Sequence, residues 1–258
     1  LAQPHWSTSL VIVVGTAGLM PMSTAAPSGP KVPKAASALT ANAPSVHVER
    51  TKSANWSGYE VLGGPYSVIT GDFTVPGMSV GTPVGEQASE WMGVGQGATS
   101  LIQAGVDEYP NPLNPLDTVA QAWWEVLPAR ETNITRMNVD EGDVVRVTIW
   151  ELNGTKWDLN LTDETSGESF TSPPERYNGP ANTAEWVVEA PSLCRQRCEP
   201  AFLAPYTPDI VFSHLGITGH ETSLERITLV QQRDAVATPS RLDGDEFRVA
   251  YTGPTAFY

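Results

Sequence analysis

Basic residues are scarce in this chain: 15 lysines and arginines stand against 29 aspartates and glutamates in 258 residues, a net charge of −14. Phosphate binding takes a basic stripe, so the sequence argues against nucleic acid and against an anionic membrane surface as partners. Histidines number four and cysteines two. None of His5, His47, His214 and His220 stands at ligand spacing from Cys194 and Cys198, so no metal or other cofactor is expected, and the pair suits a small disulfide-closed loop of an exported protein. Helical periodicity is almost absent, which excludes a helical bundle. What is abundant is punctuation: 22 glycines and 22 prolines in a chain that is 40% apolar and 17% charged, too apolar for a disordered polymer.

The apolar stretch from Leu10 to Met20, followed by Ser23-Thr24-Ala25-Ala26, has the size of a signal-peptide core and its small-residue cleavage site, and is too short to span a bilayer. Residues 1–26 are therefore expected to be a leader whose basic start lies outside the sequence. Residues 27–52 begin Pro27-Ser28-Gly29-Pro30-Lys31-Val32-Pro33-Lys34 and lack apolar periodicity, so they are expected to be a pro-segment or linker outside the fold. The compact domain is placed at 53–258. Residues 1–50 hold Lys31, Lys34 and Arg50 against Glu49, which leaves 12 basic and 28 acidic residues, or −16, for 51–258. The acidity belongs to the domain.

Within that domain, short runs rich in Val, Ile, Thr, Trp and Tyr alternate with Gly, Pro, Asn and Asp, the pattern of an all-β protein. Strands are predicted at 56–62, 66–75, 88–94, 100–108, 118–127, 143–151, 156–162, 183–189, 209–215, 224–230 and 246–251. Eleven strands in some 200 residues favour an antiparallel β-sandwich of two large sheets, concanavalin-like, over a small barrel. Sequons occur at Asn55, Asn133, Asn153 and Asn160.

Familiar catalytic signatures fail. Gly77-Met78-Ser79-Val80-Gly81 has the spacing of a nucleophile elbow, but Thr82-Pro83-Val84-Gly85 follows where a helix is required. His220-Glu221 opens like a zinc-peptidase helix, yet Leu224 stands where the second histidine belongs. A better signal is polar residues on apolar strands. Period 2 puts Ile102, Ala104 and Val106 on one face and Gln103 with Gly105 on the other. Likewise Ala184, Trp186 and Val188 oppose Glu185 and Glu189, while Gln121, Trp123 and Glu125 share a face. Such a surface reads either as a substrate groove or as a solvated outer face.

Asn55-Trp56-Ser57-Gly58-Tyr59, Trp91-Met92-Gly93-Val94-Gly95, Ile102-Gln103-Ala104-Gly105-Val106, Ala122-Trp123-Trp124-Glu125, Gly142-Asp143 and Ala184-Glu185-Trp186-Val187-Val188-Glu189 resemble, in order, the motifs of the glutamic peptidases (eqolisins). The resemblance covers about Ser53 to Ala250. It implies a secreted, extracellular acid endopeptidase acting on polypeptides and made with a signal peptide and a pro-segment; nothing in the sequence requires more than a monomer. It maps the catalytic glutamine onto Gln103 and the catalytic glutamate onto Glu185. Gly95-Gln96 departs from it, because fungal members carry an aspartate soon after the Trp-x-Gly motif.

An ionised Glu185 would take a proton from water as that water attacks the scissile carbonyl, then return it to the leaving nitrogen. Gln103 does not titrate, so its amide N–H can meet the developing oxyanion at any pH. Glu125 is a candidate to orient Gln103 or substrate, and Trp91 a candidate wall of the groove. The alternative is a glycoside hydrolase or carbohydrate-binding sandwich that uses Glu125 and Glu185 as its carboxylate pair.

Overall fold

A computed structural model of the chain describes residues 31–35, 37–39, 47–97, 100–111, 113–194 and 198–254. The expected leader at 1–26 lies outside the described residues, as do the side chains of Cys194 and Cys198. The backbones of those two cysteines are register partners in a hairpin of Ser192–Cys194 with Cys198–Pro200. No helix occurs among the described residues, and so none long and apolar enough to cross a membrane.

All eleven expected strands are present: eight are longer than expected by one to four residues, Thr183–Glu189 is as expected, and Val68–Thr74 and Phe247–Tyr251 are shorter. They form two layers. The front sheet runs, in spatial order, Asn114–Val126, Leu101–Asn111, Glu86–Gly95, Thr183–Glu189, Trp56–Gly63, Glu221–Gln231 and His47–Ser53. The back sheet runs Lys156–Asp163, Val144–Asn153, Val68–Thr74, Ile210–Thr218, Phe247–Tyr251 and Asp234–Pro239. Asp234–Pro239 also pairs with Glu221–Gln231, which joins the layers along one edge.

Alternation decides which side chains lie between the layers. Tyr59, Val61, Met92, Val94, Ile102, Ala104, Val106, Ala184, Trp186 and Val188 of the front sheet meet Ile69, Phe73, Val145, Val147, Ile149 and Phe212 of the back. Each large apolar side chain fully buried there contributes about 1.5–3 kcal/mol. Trp186 also donates its indole N–H to the Thr70 carbonyl at 3.1 Å, a polar tie from one layer to the other. Asn160, one of the four sequons, is buried, and its amide nitrogen donates to Ser169 Oγ, Phe170 O and Thr171 Oγ1, which leaves no place for a glycan.

One boundary differs from expectation. Residues assigned to a linker are part of both sheets: Ser37–Ala38 pairs antiparallel with Ile210–Thr218, and His47–Ser53 pairs parallel with Glu221–Gln231. Leu39 donates its N–H to the Leu215 carbonyl and is fully buried in the core. Edge pairing uses backbone groups and a single buried leucine, so it leaves no periodic pattern to read.

Candidate active site

Strand register brings the polar residues of the front sheet into one line. Gly93 is the register partner of Gln103 on one side and of Glu185 on the other. Direct partners share a face, so the two side chains flank Gly93 on the outer face, two strand spacings or about 10 Å apart at Cα. A Cβ at Gly93 would lie 3.2 Å from Gln103 Cβ and 3.1 Å from the Trp91 ring. Glycine therefore makes room at this position for the Trp91 ring and the Gln103 side chain.

Glu125 is the partner of Gln103 on the opposite side, and Gln103 Nε2 donates to Glu125 Oε2 at 2.7 Å. One amide N–H is thereby fixed and the second is left to a ligand. Burial pushes the Glu125 carboxyl up, and the Gln103 bond opposes that shift. Glu185 is fully buried, and neither of its oxygens has a hydrogen-bond partner within normal limits. Burial holds its pKa well above the usual value; the Thr183 hydroxyl opposes the shift, and the charge of Glu60 adds to it.

Trp91 lies one step along, in the row Trp123, Gly105, Trp91, Val187 and Gly58. It is fully buried, packs edge-on against Trp56 with centroids 5.0 Å apart, and donates its indole N–H to Glu189 Oε2 at 2.8 Å. Asn55 Nδ2 donates to the other Glu189 oxygen at 2.9 Å. A cavity of about 370 Å³ opens beside this row, lined in part by Trp56, Gln103, Asp107, Trp123, Glu125, Glu131 and Glu189. Glu185 is sealed from it, beneath the outer surface. Burial pushes Asp107 and Glu189 up to about 7 and Glu131 up to about 8. Among the described residues no group of His, Cys, Asp and Glu is arranged to hold a metal ion.

The sequence model of the peptidase A4 family matches residues 54–251. The chain belongs to the peptidase A4 family. Aspergillopepsin-2 of Aspergillus niger is 27% identical over 164 residues, 53% of this chain and 56% of the relative. The chain thus spans little more than half of that relative's length. Scytalidopepsin B of Scytalidium lignicola is 23% identical over 193 residues, 71% of each chain. Among solved structures, scytalido-glutamic peptidase with a transition-state analogue inhibitor superposes with a TM-score of 0.68 at 20% identity, covering 78% of this chain and 99% of that one. Aspergilloglutamic peptidase from Aspergillus niger gives 0.53 at 21% identity, covering 65% and 99%. These likenesses establish the sandwich fold.

Peptidase A4 membership and the register both count against the glycosidase alternative. Glu125 and Glu185 are three strand spacings apart, about 14 Å at Cα, with Gln103 between them; carboxyls of glycosidases stand about 5–9.5 Å apart. At Gly95 the departure has a local cause: a Cβ there would lie 2.0 Å from the Ser100 carbonyl oxygen, which excludes a side chain at that position. Sequence reasoning missed Asp107, Glu131 and Glu60. Asp107 and Glu60 were legible, each continuing the period-2 alternation that marks Gln103 and Glu185. Glu131 reaches the cavity from the turn after Val126 and carries no periodic signal.

Proposed function

We propose that the protein is a secreted endopeptidase that hydrolyses peptide bonds in acid with Gln103, Glu185 and a water molecule. One observation carries this reading: Gly93 is the register partner of both residues, so an amide donor and a carboxyl stand on either side of a position without a side chain. A scissile peptide over Gly93 has its carbonyl oxygen toward the free N–H of Gln103. A water beside Glu185 loses a proton to the carboxylate as it attacks, and Glu185 returns that proton to the departing nitrogen. Admission of that water relieves burial, the leading cause of the raised Glu185 pKa, and brings the carboxylate into use.

Acid suits the rest of the face. With pKa values near 7 or 8, Glu60, Asp107, Glu131 and Glu189 are neutral well below neutrality and do not repel one another. The signal-peptide pattern expected at residues 1–26 supports secretion.

The test is digestion of a denatured protein at acid pH, with and without a pepsin-type inhibitor such as pepstatin. Cleavage should be insensitive to the inhibitor. Gln103→Ala and Glu185→Gln should each lower the rate at least 100-fold, while circular dichroism and melting stay those of the parent; substantial activity in either variant overturns the assignment.

A further inference from the structure

Cations are rare in this domain, yet four of them gather at one end of the front sheet, on the side away from Gln103 and Glu185. Arg226 is the direct register partner of Tyr59, and Arg50 that of Arg226. Tyr59 is buried in the core, edge-on to Phe247 with ring centroids 4.8 Å apart, so both guanidinium groups leave the sheet on its inner side. Lys52 follows Arg50 on that side, while Glu49, Glu60 and Glu225 of the same strands alternate to the outer one. Arg241 arrives from the loop after Asp234–Pro239, and the three arginines with Tyr59, Leu224 and Leu242 line a cavity of about 380 Å³. Burial raises the pKa of Tyr59, and the charges of Arg226, Arg241 and Arg50 oppose that rise. Like charges directly opposite one another on a sheet are destabilising. No carboxylate offsets them here: none of the ion pairs among the described residues involves Arg50, Lys52, Arg226 or Arg241. Two of the walls are held firmly. Nε and Nη2 of Arg226 both donate to the Pro239 carbonyl, and the Tyr59 hydroxyl donates to the Ser240 carbonyl at 2.8 Å.

We infer that Arg50, Arg226 and Arg241 form a binding site for a free tetrahedral oxyanion, sulfate or phosphate. The site is independent of the peptidase reading, since its cavity shares no lining residue with the one beside Gln103. Guanidinium groups offer N–H donors in a fixed fork that matches such oxygens, and the bond to Pro239 sets the Arg226 fork in place before an anion arrives. An anion there removes the repulsion between Arg50 and Arg226. A carboxylate fits less well in acid, because it loses its charge near about pH 4, whereas sulfate and phosphate keep theirs. Nucleic acid remains excluded, because cations around one cavity make no stripe for a phosphate backbone. The floor of the cavity is Tyr59 and Leu224, both fully buried, which suits a small ligand. Its walls come from His47–Ser53, Glu221–Gln231 and the loop at Arg241, so a bound anion also pins the edge strand His47–Ser53 to the rest of the sheet.

The experiment follows melting temperature at about pH 4 as sodium sulfate replaces sodium chloride at constant ionic strength. Binding to one site gives a rise that follows the occupancy of the folded state, with a half-saturating concentration read from the curve. Sulfate also stabilises proteins generally, by exclusion from their surface, but that contribution does not change when one arginine is replaced. Arg50 and Arg241 are exposed, so Arg50→Gln and Arg241→Gln should fold as the parent does. Each should raise the half-saturating concentration about tenfold or more, the scale of one hydrogen bond to a charged group. Arg176→Gln, beside Lys156–Asp163 at the far edge of the back sheet, should leave it unchanged. Calorimetric titration of the parent with inorganic phosphate should give one site per chain, and acetate in the same titration should give no saturable heat. The same sulfate response in the parent, Arg50→Gln and Arg241→Gln overturns the site, as does a phosphate titration without saturable heat. Acetate binding as tightly as phosphate overturns the choice of a tetrahedral oxyanion.

Discussion

Gln103 is held from one side only. Its amide nitrogen is bonded to Glu125, while its Oε1 is buried and unpartnered. Replacing Glu125 with leucine should let the amide rotate and lower kcat about 10- to 100-fold, the cost of a small misplacement of a reacting group, with melting close to the parent. Glu125→Gln keeps a carbonyl acceptor in place and should retain most of the rate in the same steady-state assay. At this scale the sequence was informative wherever a polar residue interrupts an apolar alternation, as Gln103, Glu125 and Glu185 do. It was silent on which of them touch. The Gln103–Glu125 bond depends on the register between two strands, which no local pattern specifies.

On the core side of the same sheet sits a second acidic feature. Glu90 and Glu108 point between the layers, diagonal neighbours on Glu86–Gly95 and Leu101–Asn111, both fully buried and with no cation beside them. Burial holds Glu90 up near 8, the Glu108 side chain opposing the shift, and holds Glu108 well above its usual value, the Glu90 charge adding to it. A carboxyl whose pKa is raised on folding gives stability that is complete below the unfolded value, about 4.5, and is lost as pH rises through the folded value. Melting temperature should therefore be highest in acid and fall between about pH 4.5 and pH 8. Glu90→Gln and Glu108→Gln should flatten that fall; equal slopes in parent and variants, measured by calorimetry across the range, would refute the account. The alternation of these strands was legible, but the same rule that assigns Ile102, Ala104 and Val106 to the core assigns Glu108 there too, against its polarity. The edge strands at 37–38 and 47–53 escaped for a different reason. They are held by backbone bonds, to which side-chain pattern is blind.

Across the whole molecule the net charge of −16 on residues 51–258 is not spread evenly. A share of it lies in one line, Glu125, Glu185, Glu60 and Glu225, interrupted by Gln103 and Gly93 and continued by Glu49 of the preceding strand. The two-layer architecture was readable from strand count and punctuation. That line was not, because it runs perpendicular to the chain and exists only once seven strands are in register. Its length is fixed by the backbone: six spacings of about 4.8 Å make a ruler of about 29 Å, on which an extended peptide advances about 3.3 Å per residue. Gly93 to Glu225 is three divisions, or about four residues. Turnover should then depend on substrate length, with kcat/KM rising as residues are added on the Glu185 side and levelling off once about four are present. A series of peptides extended one residue at a time would read that scale directly, and a flat series would show that the row measures nothing.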